Sequence, residues 1–124
     1  MSRMRVALLL LLLVAAGAVA QPARFRTQAA PKDFLGTWSG KWDGTWQIHL
    51  TVSQERSTRQ LYVVYQWEEG VDEPLNRMAG PAEIRNGRLH FREMIEVALW
   101  KNKPGQATAF GHFDQPRTAL LRRR

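Results

Sequence analysis

Gly36-Thr-Trp-Ser-Gly-Lys-Trp-Asp-Gly-Thr-Trp-Gln47 repeats one four-residue word three times: Gly, any residue, Trp, a polar residue. Three readings compete: a helical stripe, a platform for stacking sugars, and a structural device. Glycine costs about 1 kcal/mol per position in a helix, so three in nine residues exclude the stripe. In a strand, the even-numbered residues from Gly36 to Trp46 share one face. The turn then sets the register. A two-residue loop at Asp43-Gly44 would set the apolar face of one strand against the polar face of the next. A three-residue loop, Trp42-Asp43-Gly44, avoids this and puts Gly44 in the left-handed position of a bulged hairpin, which glycine adopts without strain. That register predicts Gly40 opposite Trp46, Trp38 opposite Ile48 and Gly36 opposite Leu50, with small residues alternating against rings on a core face.

Working outward, the strand pattern continues. Thr45 to Ser53 alternates Trp46, Ile48, Leu50 and Val52 with Gln47, His49, Thr51 and Ser53, a half-buried strand. Leu61 to Trp67 is β-branched and aromatic, with Leu61, Val63, Tyr65 and Trp67 in phase. Arg85-Asn86-Gly87-Arg88 is a hairpin signal, because Asn-Gly tolerates the two positive φ values of a type I′ turn. The implied pairs are Arg85 with Arg88, Ile84 with Leu89, Glu83 with His90 and Ala82 with Phe91. Ile95–Trp100, Ala107–Phe113 and Thr118–Arg122 follow as strands, separated by breakers such as Pro104-Gly105. Leu89 to Lys101 either bends at Arg92-Glu93-Met94 or runs through. The sum is an all-β chain: an antiparallel up-and-down meander of seven or eight strands forming a small closed or partly open barrel. One connection is long, Glu68 to Pro81, and carries Glu68, Glu69, Asp72 and Glu73. Long loops in compact domains are often functional.

Before the meander, Arg3 and Arg5 precede an apolar run from Val6 to Val14 and an Ala18-Val19-Ala20 site. This reads as a secretory signal peptide over residues 1–20. The run is too short to span the ~30 Å bilayer core as a lasting anchor. Residues 21–33, with Pro22 and Pro31, read as a flexible leader, and residues 34–124 as the barrel domain. The chain is therefore expected to be exported, to a bacterial periplasm or beyond the cell. It contains no Cys, so aromatic packing and sheet closure must do what disulfides do in many small exported domains. With Arg3 and Arg5 removed, 16 Lys and Arg face 11 Asp and Glu, a net charge of +5. The excess sits at the ends, in Arg24, Arg26 and Lys32 and in Arg122-Arg123-Arg124. No basic stripe interleaved with aromatics is present, which argues against nucleic-acid binding.

No catalytic constellation is visible, and the chain reads as a non-enzyme. His49 and His90 fall on outward faces, with His112 ambiguous, and their spacing makes no metal motif. Ser39, Ser53 and Ser57 have no nucleophile-elbow context. The acidic loop lacks the ligand spacing of a calcium site. Glu96 alternates with Ile95, Val97 and Leu99 and is expected to face solvent. No cofactor is implied. What remains is an aromatic set: Trp42, Trp46, Tyr65, Trp67 and Trp100 as candidates to line one open end, with Glu68 and Glu69 beside Trp67. Ring faces cover apolar sugar or hydrocarbon faces, and carboxylates take hydroxyls.

Phe34-Leu-Gly36-Thr37-Trp38 at the start of such a meander resembles the calycin group, lipocalins and avidins among them. In that group Gly-x-Trp opens the first strand, and a basic residue on the last strand packs over the Trp. The resemblance implies a barrel in which Gly36 and Trp38 are structural and Arg122 stacks on Trp38; Gly44 is structural by its place in the turn. Against the avidin pattern, Ser39-Gly40-Lys41 and Trp67 stand where biotin-binding polar residues are expected, which argues against biotin. Two functions follow as expectations: binding a small apolar or saccharide ligand at the open end, or binding a protein as a protease- or lysozyme-inhibitor-like domain through the leader or the 68–81 loop.

Overall fold

A computed structural model describes residues 24–124; residues 1–20, read from sequence as a signal peptide, lie outside the described residues. Eight strands form one antiparallel sheet: β1 (Gly36–Trp42), β2 (Trp46–Gln54), β3 (Leu61–Trp67), β4 (Asn76–Arg85), β5 (Arg88–Phe91), β6 (Ile95–Leu99), β7 (Gln106–His112) and β8 (Pro116–Arg123). Each strand pairs with the next, and β8 returns to β1 through Trp38 opposite Arg123 and Ser39 opposite Arg122, so the barrel is closed. The Arg92-Glu93-Met94 segment bends, dividing β5 from β6.

The alternating faces read from sequence hold. Ile48, Leu50, Val52, Leu61, Val63 and Tyr65 are buried inside, and Trp38 and Trp42 join them from β1. An eight-stranded barrel has an interior that side chains nearly fill. Here two indoles on β1 are accommodated by small inward residues on β7 and β8: Ala107, Ala109 and Ala119, all buried, and Gly111, where a Cβ would stand 3.1 Å from the Trp42 ring.

The first hairpin differs from the expectation by two residues. Trp42 pairs with Trp46, Gly40 with Ile48, Trp38 with Leu50 and Gly36 with Val52. Asp43 and Gly44 both have positive φ, and Thr45 N–H donates to Trp42 O at 2.9 Å, closing a tight turn that leaves Thr45 as the extra residue. A slip of two preserves which residues face inward, because the strand period is two. Gly44 does occupy the left-handed region. Gly40 has a different task from the one expected: a Cβ there would lie 2.2 Å from the Leu120 carbonyl, so its absence lets β1 approach β8 at the closing seam. The Asn86-Gly87 hairpin has all four expected pairs and positive φ at both turn residues.

The expected long connection shortens to residues 68–75, because β4 begins at Asn76 and includes Gly80 and Pro81. Asn76 to Pro81 pairs with β3 but extends past the end of β5, whose pairing starts at Ala82. Proline is tolerated where a strand lacks a neighbour on one side. The Ala79 carbonyl on that open side is capped by Arg92 Nη2 at 2.8 Å.

Residues 24–33, expected as a flexible leader, lie against the barrel. Arg26 N–H donates to Leu99 O and Lys101 N–H to Arg24 O, and Phe25 packs edge-on against Trp100 and Phe110. A 3₁₀ turn, Pro31–Asp33, leads into Phe34, which is fully buried and whose carbonyl accepts Trp38 Nε1–H at 2.8 Å. This closes one end of the barrel.

Candidate functional site

In an up-and-down barrel, alternate loops gather at the same end. The turns after β1, β3, β5 and β7 surround the end opposite the leader, and a cavity of about 360 Å³ opens there. Its lining includes Trp42, Trp46, Tyr65, Trp67, Glu68 and Glu69, six of the seven residues singled out from sequence. They meet because β1, β2 and β3 all carry their inward aromatic residues toward this end: Trp42 lies directly across from Trp46, and Trp67 ends β3.

Trp42 and Tyr65 form the buried floor, Trp42 Nε1–H donating to Tyr65 Oη at 2.8 Å. Burial pushes the Tyr65 phenol above its usual pKa, against a smaller opposing effect of that hydrogen bond. Tyr65 therefore keeps its proton at neutral pH, and that proton is not used in the bond to Trp42. Trp67 is half-buried and stacks on Tyr65, with centroids 4.8 Å apart and 18° between planes. Phe113 meets Trp42 edge-on at 5.6 Å. Met78 and Met94 complete the apolar wall with adaptable thioethers.

The rim is polar. Arg117 lies 4.7 Å from the Trp46 ring centroid and pairs with Asp43 at 2.8 Å. Asp43 also accepts from Thr118 N–H, tying the first turn to β8. Glu68 accepts from Gln47 N–H at 2.7 Å, which fixes its carboxylate beside Trp67. Glu69 and Asp114 are exposed at the mouth. The arrangement offers ring faces, a hydroxyl donor at depth and carboxylates at the entrance. Among the described residues no group of three His, Asp or Glu side chains is arranged to hold a metal ion.

Trp100 is elsewhere. It follows β6 at the closed end, in an open groove lined by Phe25 to Gln28 and Lys101 to Pro104, with Arg24 and Lys103 over its ring. The reason is topological: β3 and β6 run in opposite directions, so their C-terminal ends lie at opposite ends of the barrel. Arg122 is also corrected. It pairs with Ser39 on the outer wall, and Arg123 instead covers Trp38, 4.5 Å from the ring centroid, while donating to Asp33 O. Inward positions on β8 are odd-numbered, so Arg117 and Arg123 share a face with Ala119 and Leu121.

His49 points outward as expected but is buried, its Nδ1 2.7 Å from Ser39 Oγ and its Nε2 3.0 Å from Gln47 Nε2. Burial, and secondarily the Arg124 charge, hold its pKa below the usual 6.5. Glu96 is half-buried on the outer wall, with Arg88 and His112 each at 3.3 Å and His90 at 3.8 Å.

Sequence reading did not find Met78, Met94, Phe113, Asp114 or Arg117. For Arg117 a signal existed: it precedes Ala119, Leu121 and Arg123 in strict alternation. Met94 and Phe113 lie in turns, where periodicity carries no information. Comparison of the chain with protein-family models, with curated proteins and with solved structures finds no match.

Proposed function

We propose that this chain is an exported, non-enzymatic, calycin-like barrel that binds a small apolar or saccharide ligand at its open end. The observation that carries the reading is the cavity: about 360 Å³, walled by Trp46, Trp67 and Phe113, with Trp42 and the Tyr65 hydroxyl at its floor. Ligand sites are mostly apolar concavities of roughly 300–1,000 Å³ with a few convergent polar groups. This one is at the small end of that range and suits a ligand of one or two rings. Half-buried rings whose burial a ligand would complete favour binding over a purely structural role.

Isothermal titration of the mature protein against monocyclic aromatics, short aliphatic alcohols and monosaccharides tests the proposal. Saturable heat from at least one class, lost on Trp67→Ala, supports it. No heat from any class contradicts it.

A second reading is favoured by a separate observation. Val71 and Leu75 are exposed on the acidic 68–75 loop, as a protein-contacting loop would require. The version acting through the leader has less support, since residues 24–33 pack against the barrel. Pull-down with and without Val71→Asp separates the loop reading from ligand binding.

A further inference from the structure

The charge of the barrel is divided by its topology. Of the four turns around the cavity, residues 43–45, 68–75 and 113–115 carry Asp43, Glu68, Glu69, Asp72, Glu73 and Asp114 and contain no Lys or Arg. The fourth, 92–94, adds Arg92 and Glu93, one charge of each sign. At the opposite end the balance is reversed. Arg24, Arg26, Lys32, Lys101, Lys103 and Arg124 surround the closed base, where Asp33 is already paired with Arg26. With Lys41, Arg77 and Arg117 on the adjoining strand ends included, seven carboxylates still face four cations at this end, so the cavity opens at the more negative end of a molecule whose net charge is positive.

Among the described residues Arg117 is the one cation lining the cavity, and it is neutralised by Asp43. Among the described residues Glu68, Glu69 and Asp114 form no ion pair. Glu68 is held against the Trp67 side of the mouth by Gln47 N–H, so at least one carboxylate is preorganised beside an aromatic face. At the other end of the cavity the Tyr65 proton remains to be donated, since Tyr65 acts as acceptor toward Trp42.

From these positions we infer that the ligand is a small ring-bearing organic cation, entering ring first, with a hydrogen-bond acceptor directed at Tyr65 and a protonated amine left at the Glu68–Glu69–Asp114 mouth. This rests on the binding role proposed above and narrows it. The ring fills the space between Trp67, Phe113 and the methionines. The amine gains from the carboxylates and from the face of Trp67 not stacked on Tyr65, the Trp46 ring being covered by Arg117. The more negative end raises the local concentration of cations and speeds their capture. A neutral ligand of the same shape gains the ring contacts alone, and an anion is repelled.

Three matched probes test this by isothermal titration: tyramine, with both amine and phenolic oxygen; tyrosol, the neutral alcohol of the same skeleton; and 2-phenylethylamine, the amine lacking the oxygen. Tyramine is expected to bind about tenfold tighter than either analogue, the equivalent of about 1.4 kcal/mol for each polar contact. The tyramine preference over tyrosol should fall as salt rises, because the mouth carboxylates are exposed. In the surface variant Glu69→Gln/Asp114→Asn that preference should shrink several-fold, while Tyr65→Phe should remove the preference over 2-phenylethylamine. Equal binding of tyramine and tyrosol, or a preference unchanged in Glu69→Gln/Asp114→Asn, overturns the cation assignment and leaves ligand binding standing. Absence of binding by all three probes together with the apolar and saccharide panel overturns both.

Discussion

Trp42 and Tyr65, 23 residues apart in sequence, meet at 2.8 Å in the floor of the barrel, where the indole N–H is satisfied by the phenol oxygen. Both side chains are buried. Tyr65→Phe strands the Trp42 N–H and is expected to cost about 1–3 kcal/mol. Tyr62→Phe, on the exposed outer face of the same strand, is expected to stay within about 0.5 kcal/mol. Urea unfolding midpoints for the two variants give the comparison; equal midpoints would remove the Trp42–Tyr65 bond from the account of stability.

The two arginines at the end of β8 are not equivalent. Arg123 covers Trp38 and reaches the Asp33 carbonyl, holding the entry segment over the closed end. Arg122 faces outward beside Ser39. Arg123→Ala should lower stability by about 1–2 kcal/mol through the lost cation–ring contact and hydrogen bond. Arg122→Ala should change it by less than about 0.5 kcal/mol. Thermal melts of both check this, and the reverse order would restore Arg122 as the covering residue.

Three glycines respond differently to alanine. At Gly40 the added Cβ meets backbone, the Leu120 carbonyl at 2.2 Å, which cannot move without opening the β1–β8 seam; a loss of at least about 3 kcal/mol is expected. At Gly44 there is open space but a left-handed backbone, and the loss should be about 1 kcal/mol. At Gly111 the Cβ meets the Phe113 ring at 2.6 Å, a side chain able to swing into the cavity. Gly111→Ala should therefore reduce ligand affinity more than stability. Unfolding midpoints combined with a ligand titration distinguish the three.

His49 makes stability depend on pH. Its folded pKa is held below 6.5, so the unfolded chain takes up a proton first as pH falls. The neutral-His contribution is fully present above pH 6.5 and is lost as pH drops toward the folded pKa. His49→Gln should flatten that part of the profile. Unfolding midpoints at about pH 5 and about pH 8, for wild type and variant, measure it. A difference between the two proteins that is independent of pH would assign the effect to some other group.

Much of the fold was legible because it rests on period two. The inward sets of β2 and β3 and the whole Asn86-Gly87 hairpin follow from alternation and turn chemistry alone. The first hairpin kept its faces but lost its register, because parity distinguishes one-residue slips and is blind to slips of two. Pro81 suggested a loop, since sequence does not show that β4 outruns β5. Trp100 lies at the other end because strand direction, not residue type, decides which end a strand-terminal ring occupies. Arg123, not Arg122, covers Trp38 because inward positions on β8 are odd-numbered, a phase that a resemblance at the strand end does not supply. The cavity residues on β1 to β3 were found from aromatic phase; Met94 and Phe113 were not, since closure of the barrel brings those turns to the mouth.

The central claim is that a half-open aromatic cavity exists at one end of an otherwise filled barrel. Acrylamide quenching of tryptophan fluorescence in residues 21–124, wild type and Trp67→Phe, tests it most directly. Trp38 and Trp42 are buried, whereas Trp46, Trp67 and Trp100 are half-exposed, Trp46 and Trp67 at the mouth and Trp100 at the opposite end, so the Trp67 component is read as the difference between the two proteins. A readily quenched component that is lost in Trp67→Phe, and is protected in wild type by a saturating ligand, is the expected result. Equal quenching of wild type and variant, with no protection by any ligand, would show Trp67 to be shielded and contradict an open aromatic cavity at this end.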